Sequence, residues 1–149
     1  MSPNGMSSNE TSSDRSVPEG HQHKTKQHEA DQRESDRREA GRLAALHRYG
    51  VLDTGDEAAF DRITNLVKRL LDVPIALVTL VDEERQWFKS CVGMDRASFP
   101  QRETPREVAF CNYNIRSEEV MVVEDATADP RFADNPLVTG PPGIRFYAG

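Results

Sequence analysis

Apolar side chains are nearly absent from the first 40 residues, where only Met1, Met6, Val17, Ala30 and Ala40 occur among Ser, Glu, Gln, His, Lys and Arg. Such a stretch buries too little apolar surface to offset the entropy of ordering it, so residues 1–35 are expected to form a disordered polar tail. From Asp36 the pattern changes. Leu43, Leu46 and Tyr49 fall on one helical face, and Gly50 stands where that short helix should stop. Thr54 and Glu57 have the spacing of a capping box, and Phe60, Ile63, Val67, Leu70 and Leu71 then repeat with helical period to Asp72.

Pro74 closes that helix. Ile75 to Val81 (IALVTLV) is an apolar, partly β-branched run too short for another helix, and it predicts an interior strand. After the acidic turn Asp82–Glu83–Glu84, residues 86–92 alternate as a second strand. Trp87, Lys89 and Cys91 are expected on one face, with Phe88, Ser90 and Val92 on the other, which makes a hairpin. Gly93 to Pro105 should be a long loop of the kind that serves as a lid. A short helix is expected within Arg106–Ser117 and a strand at Val120–Val123. Asp129 and Pro130 suit a capped turn, residues 135–143 are rich in turn formers, and a last strand covers Ile144–Ala148. This order predicts an α+β domain over residues 36–149, with helices on one face of an antiparallel sheet.

Composition narrows the function classes. The net charge of −6 divides as −2 over residues 1–40 (six basic, eight acidic) and −4 over the rest (thirteen basic, seventeen acidic). With no basic stripe, a nucleic-acid footprint is not expected. Neither a signal-peptide core nor an apolar run long enough to span a membrane occurs, so a cytoplasmic location and no membrane partner are expected. Cys91 and Cys111 are too far apart for a Cys-x-x-Cys zinc or redox motif and are expected to be reduced thiols. His21, His23 and His28 lack the carboxylate or Cys spacing of a defined metal site. No metal and no cofactor is indicated.

Three stretches carry a more specific likeness: VPIALVTLVDEERQWFKSCVGMD (residues 73–95), ETPREVAFCNYNI (103–115) and VVEDATADPRFADNPLVTGPPGIRFYAG (122–149). They resemble the GAF sensory domains of bacterial signalling proteins, and residues 42–72 resemble the leading helices of those domains. The resemblance implies a six-stranded antiparallel sheet with helices behind it and a ligand pocket in front. It also implies that the last strands and the C-terminal helix are missing here, so that the domain is truncated. Two departures stand out: the added RASFPQR in the lid loop (residues 96–102), and Tyr113 where many relatives carry His.

For a pocket above the sheet, the candidate wall residues are Trp87, Phe88, Phe110, Cys111, Tyr113, Phe132, Arg145 and Tyr147. Asp125, Asp129 and Arg131 are expected to pin a loop rather than to form an acid–base site. The resemblance implies a regulatory module without catalytic residues of its own. It would take a small molecule or a protein contact and act as a homodimer or on an output partner such as a histidine kinase or diguanylate cyclase. Two other readings stand beside this one. One is a GAF-fold thiol enzyme of the free methionine sulfoxide reductase type using Cys91 and Cys111. The other is a non-functional remnant of an interrupted gene.

Overall fold

The computed structural model describes Met1 and residues 19–94, 97 and 99–149, with side chains from residue 26 onward. It divides into two compact units, Met1–Ala40 and Gly41–Gly149. The first helix, α1, is Glu19–Tyr49 and so starts well before the expected Asp36. Its polar part is held by i,i+4 pairs: Gln27 with Asp31 at 3.2 Å, Gln32 with Asp36 at 2.9 Å, Glu34 with Arg38 at 3.1 Å and Glu29 with Arg33 at 3.7 Å. Pairs of this kind support a helix that has no apolar face to pack, which a search for apolar periodicity passes over. Gly50 ends α1 as expected, with φ of 60° in the left-handed region that glycine enters at little cost. Of the tail expected over residues 1–35, residues 2–18 lie outside the described residues, and residues 19–35 are helical instead.

Helix α2 is Ala58–Leu71, closed by Asp72 in the left-handed conformation. The expected capping box is not formed. Glu57 sits at the cap without a side-chain cap bond, because its carboxylate pairs with Lys89, while the Thr54 hydroxyl donates to Val51 O at 2.8 Å. Strands β1 (Ala76–Val81) and β2 (Arg85–Val92) make the expected antiparallel hairpin. The register steps from Val78↔Ser90 to Thr79↔Phe88, so Lys89 is an extra, bulged residue. This corrects the simple alternation read from the sequence: Lys89 and Ser90 both reach α2, Lys89 over the Phe60 ring at 5.4 Å and Ser90 through Thr64 at 2.9 Å. At the foot of the hairpin Gly93 has φ of 90°, and a Cβ there would lie 1.8 Å from Pro74 O.

The long loop is shorter than expected, because Glu103–Pro105 pairs with Arg85–Trp87 as an edge strand, β3, in the order β1-β2-β3. Positions 96 and 98 of the RASFPQR insertion lie outside the described residues. The helix expected within 106–117 is broken into a 3₁₀ turn, Arg106–Val108, and a single helical turn, α3 (Cys111–Asn114). Strand β4 is Val122–Val123, and it pairs with β5, Tyr147–Ala148, as a separate two-stranded sheet. Between them Asn135 caps the one-turn α4 (Pro136–Thr139) by accepting from Leu137 N at 2.9 Å. A dry core of Phe110, Val123, Ala126, Phe132 and Val138 fills this half.

Helix α2 shows the largest mismatch between pattern and packing. Its one buried residue is Thr64, whereas Ile63, Leu66, Val67, Leu70 and Leu71 are exposed, Leu70 at 73 %. The helix meets the sheet through a polar seam, in which Ser90 Oγ donates to Asp61 Oδ1 at 2.6 Å, and its apolar arc is turned aside. Because these leucines pack against little, Leu66→Glu and Leu70→Glu should each change unfolding stability by no more than about 0.5 kcal/mol. Urea unfolding checks this, and a loss well beyond that figure would mean the arc is covered. The Glu57–Lys89 pair should behave oppositely. Glu57→Gln is expected to cost about 1–3 kcal/mol by stripping a buried ammonium of its counter-ion. Adding Lys89→Met should recover most of that loss, and a double variant no more stable than Glu57→Gln would refute the assignment.

Candidate functional site

The turn joining α1 to α2 is fastened to β2 and β3 by three charge pairs. Asp53 accepts from Arg85 Nη2 at 2.7 Å, Asp56 pairs with Arg102, and Glu57 pairs with Lys89. Arg85 also donates from Nε to Asp82 Oδ2 at 3.0 Å and pairs with Glu103. Asp53, Glu103 and Asp82 together hold the Arg85 guanidinium well above its ordinary pKa. Burial opposes ionisation of Asp82, but the Arg85 and Glu84 amides and the Arg85 side chain outweigh it and its pKa lies below the usual carboxylate value. Lys89, 1 % exposed, donates to Thr54 Oγ1 at 2.6 Å and to Gly55 O at 3.0 Å. Its ammonium therefore has a carboxylate, a hydroxyl and a carbonyl, the full set a buried Lys requires.

Beside this clamp lies a cavity of about 260 Å³ lined by Asp56, Asp61, Thr64, Asn65, Phe88, Cys91, Val92, Met94, Phe99 and Arg102. It exists because the β2–β3 ladder stops at Trp87↔Glu103. Beyond that point the backbone bond from Phe88 N to Arg102 O, 2.7 Å, holds the returning chain, and the outer edge of β2 faces the flank of α2. Arg102 has φ of 58°, and its guanidinium spans from Asp56 to Lys89 O at 2.9 Å. Of the eight residues named from the sequence, Phe88 lines this cavity. Sequence reasoning missed Asp61, Asn65, Phe99 and Arg102; the available signal was Lys89, a charge inside the apolar run WFKSC.

Of the remaining seven, one lies beside the clamp, five come together in the second half and Arg145 stands apart. Trp87, 4 % exposed, lies beside the clamp, with Arg102 Cζ 5.7 Å and Lys89 Nζ 5.9 Å from its ring. Phe110, Cys111, Tyr113, Phe132 and Tyr147 come together in the second half of the chain. Phe110 stacks on Phe132 at 4.0 Å, Tyr147 tilts against Phe110 at 5.2 Å, and Tyr113 meets the edge of Phe132 at 5.0 Å. Cys111 Sγ accepts from Thr79 Oγ1 at 3.4 Å and lies 3.3 Å from Tyr147 Oη. Burial, and then the Cys111 neighbour, push the Tyr147 pKa above its ordinary value. Arg145 Nη1 is spent on the carbonyls of Val138, Gly143 and Ile144, at 3.0–3.1 Å. Neither cysteine is in a disulfide: Cys91 lines the cavity and Cys111 sits in this aromatic group. Among the described residues no three His, Cys, Asp or Glu side chains gather as a metal site; His21 and His23 are outside the described side chains.

Asp125, Asp129 and Arg131 shape a loop. Asp129 accepts from Arg131 Nε at 2.9 Å, from Nη2 at 2.6 Å and from the Arg131 amide at 2.9 Å, and Asp125 accepts from the Thr127 amide and hydroxyl. The Arg131 guanidinium, then its amide, lowers the Asp129 pKa to about 2. The pair is therefore formed above the ordinary carboxylate range and is lost as pH falls through about 2. A carboxyl-detected NMR titration should place Asp129 near that value, and Arg131→Gln should move it upward. A midpoint unchanged by that substitution would remove Arg131 as the cause.

Comparison with known proteins follows this geometry. Residues 57–149 match the GAF domain family. Over 108 residues, 72 % of this chain, the sequence is 44 % identical to the cyclic di-GMP phosphodiesterase PA2567 of Pseudomonas aeruginosa, of which the match covers 18 %. The chain thus spans less than a fifth of that relative. No helix among the described residues is long and apolar enough to cross a membrane. The α+β architecture and the match over residues 57–149, more than half of its length, place the chain in the GAF domain family.

Proposed function

We propose that this chain is the sensory part of a signalling protein, responding to a small molecule or a protein contact and controlling an output domain without catalysing a reaction itself. The observation that carries the reading is the family match across residues 57–149. The relative supplies the class of output: it is named for cyclic di-GMP hydrolysis, and the matching region is 18 % of it. A module that is a small share of a signalling enzyme suits a controlling role, and we extend that role to the turnover of a cyclic dinucleotide here.

The clamp supplies a route by which a bound ligand would be felt. Asp56 and Arg102 are at once part of the cavity wall and part of the fastening of the α1–α2 turn. Anything that moves Arg102 acts directly on the turn that follows α1. This is a physical connection through two side chains and needs no longer path.

Two measurements test the reading. The purified chain incubated with cyclic di-GMP should give no linear dinucleotide or GMP, and sustained turnover would overturn the non-catalytic assignment. Deleting its coding region in the source cells should change the cellular cyclic di-GMP level severalfold. An unaltered level, with the chain shown to be made and folded in the parent, would overturn the proposed output.

A further inference from the structure

The cavity at the outer edge of β2 has two chemically distinct walls. Phe88, 2 % exposed, faces Phe99 with ring centroids 5.9 Å apart, and with Val92 and Met94 they make an apolar half. Asp61, Thr64 and Asn65 of α2, with Asp56 and Arg102, make a polar half. Residues 61, 64 and 65 share one helical flank by their spacing, so the polar half is a built feature of the helix.

Charge decides what the polar half favours. Among the described residues it holds two carboxylates and one guanidinium, and that guanidinium is committed to Asp56 and to Lys89 O. Asp61 has no cation partner among the described residues; its Oδ1 takes the hydroxyl proton of Ser90, itself 1 % exposed and joined to Thr64. A carboxylate accepts several hydrogen bonds, and this one is oriented by a buried hydroxyl pair. An anionic ligand would meet two carboxylates and an already paired arginine. A cation would complete the balance.

We infer that this cavity binds a small organic cation, an ammonium group on a compact apolar or aromatic body. The ammonium donates to Asp61 and to Asn65 Oδ1, and the body lies between Phe88, Phe99 and Met94. At about 260 Å³ the cavity takes a ligand on the order of ten non-hydrogen atoms, somewhat below the usual drug-sized range. The inference deepens the sensory reading, on which it rests for its purpose, by naming a ligand class. Its test uses binding to the isolated chain, so failure here leaves the control of an output domain standing, and failure of that control leaves the binding result standing.

The chain carries its own reporter. Trp87 is its single tryptophan, and Arg102, which lines the cavity, lies 5.7 Å from that ring. Phenethylamine, 2-phenylethanol and phenylacetate share one body and differ in charge, and each is titrated against the full chain by calorimetry and by Trp87 emission. Phenethylamine is expected to bind with Kd on the order of 0.1–1 mM, at least tenfold tighter than the alcohol, with the carboxylate weakest. Asp61→Asn keeps an acceptor for Ser90, lowers the unfolding temperature by a few degrees at most and should weaken the amine at least tenfold at a temperature where the variant is fully folded. Asn65→Asp, on the exposed side of α2, should tighten it severalfold, and it decides the matter if Asp61→Asn fails to fold. Equal affinity for all three compounds, no binding of any, or indifference of the amine to both substitutions would overturn the proposal.

Discussion

The fastening of the α1–α2 turn by three carboxylates on three cations is the constraint from which the first half of the domain takes its shape. Asp53, Asp56 and Glu57 fall within a span of five positions, and their partners Arg85, Arg102 and Lys89 come from β2 and the chain returning to β3. The apolar residues of this turn, Val51 and Leu52, are only half-buried, so the charge pairs supplement modest apolar packing. The cost is the burial of Lys89, which is met by three oxygen partners and by the Phe60 and Trp87 rings. Because Lys89 is the bulged residue, the ion pair and the kink in β2 are one feature. The bulge aims both Lys89 and Ser90 at α2, and the early end of the β2–β3 ladder leaves the other edge of β2 open where the cavity forms.

The two halves of the domain are held together by different physics. Around β2 the contacts are polar and charged, and α2 docks through Asp61, Thr64 and Ser90. Around β4 and β5 the contacts are ring on ring, with Phe132 wholly buried and Phe110 stacked upon it. A polar network is direction-sensitive and responds to the loss of one member, whereas a close-packed aromatic core offers a ligand charge nothing to pair with. The part suited to reporting a bound charge is therefore the first half.

Much of the fold was legible where periodicity and packing agree. The β1–β2 hairpin and the stop at Gly50 follow from local pattern and turn chemistry; periodicity also located the helix ending at Leu71, but not the face it packs, which is Thr64 and not the apolar arc. The N-terminal part of α1 was not legible, because i,i+4 pairs such as Glu34–Arg38 leave no apolar signature. β3 was hidden in a loop by two prolines and a glycine, since Glu103 and Thr104 become strand only by pairing with Trp87 and Gln86. The aromatic candidates of the second half do converge, but the cavity beside β2 draws on Asp61, Asn65, Phe99 and Arg102. Those side chains meet through tertiary contacts between α2 and a loop some 35 residues later, which no spacing rule encodes.

The bare apolar arc of α2 has a thermodynamic meaning beyond its exposure. Anything that settles on Ile63, Leu66 and Leu70 does so only when the helix is formed, so it draws the folding equilibrium toward the native state in proportion to its concentration. A neighbour that covered the arc would therefore raise the folded fraction of this domain. Abundance would then follow the concentration of that neighbour as well as the rate at which the domain is made.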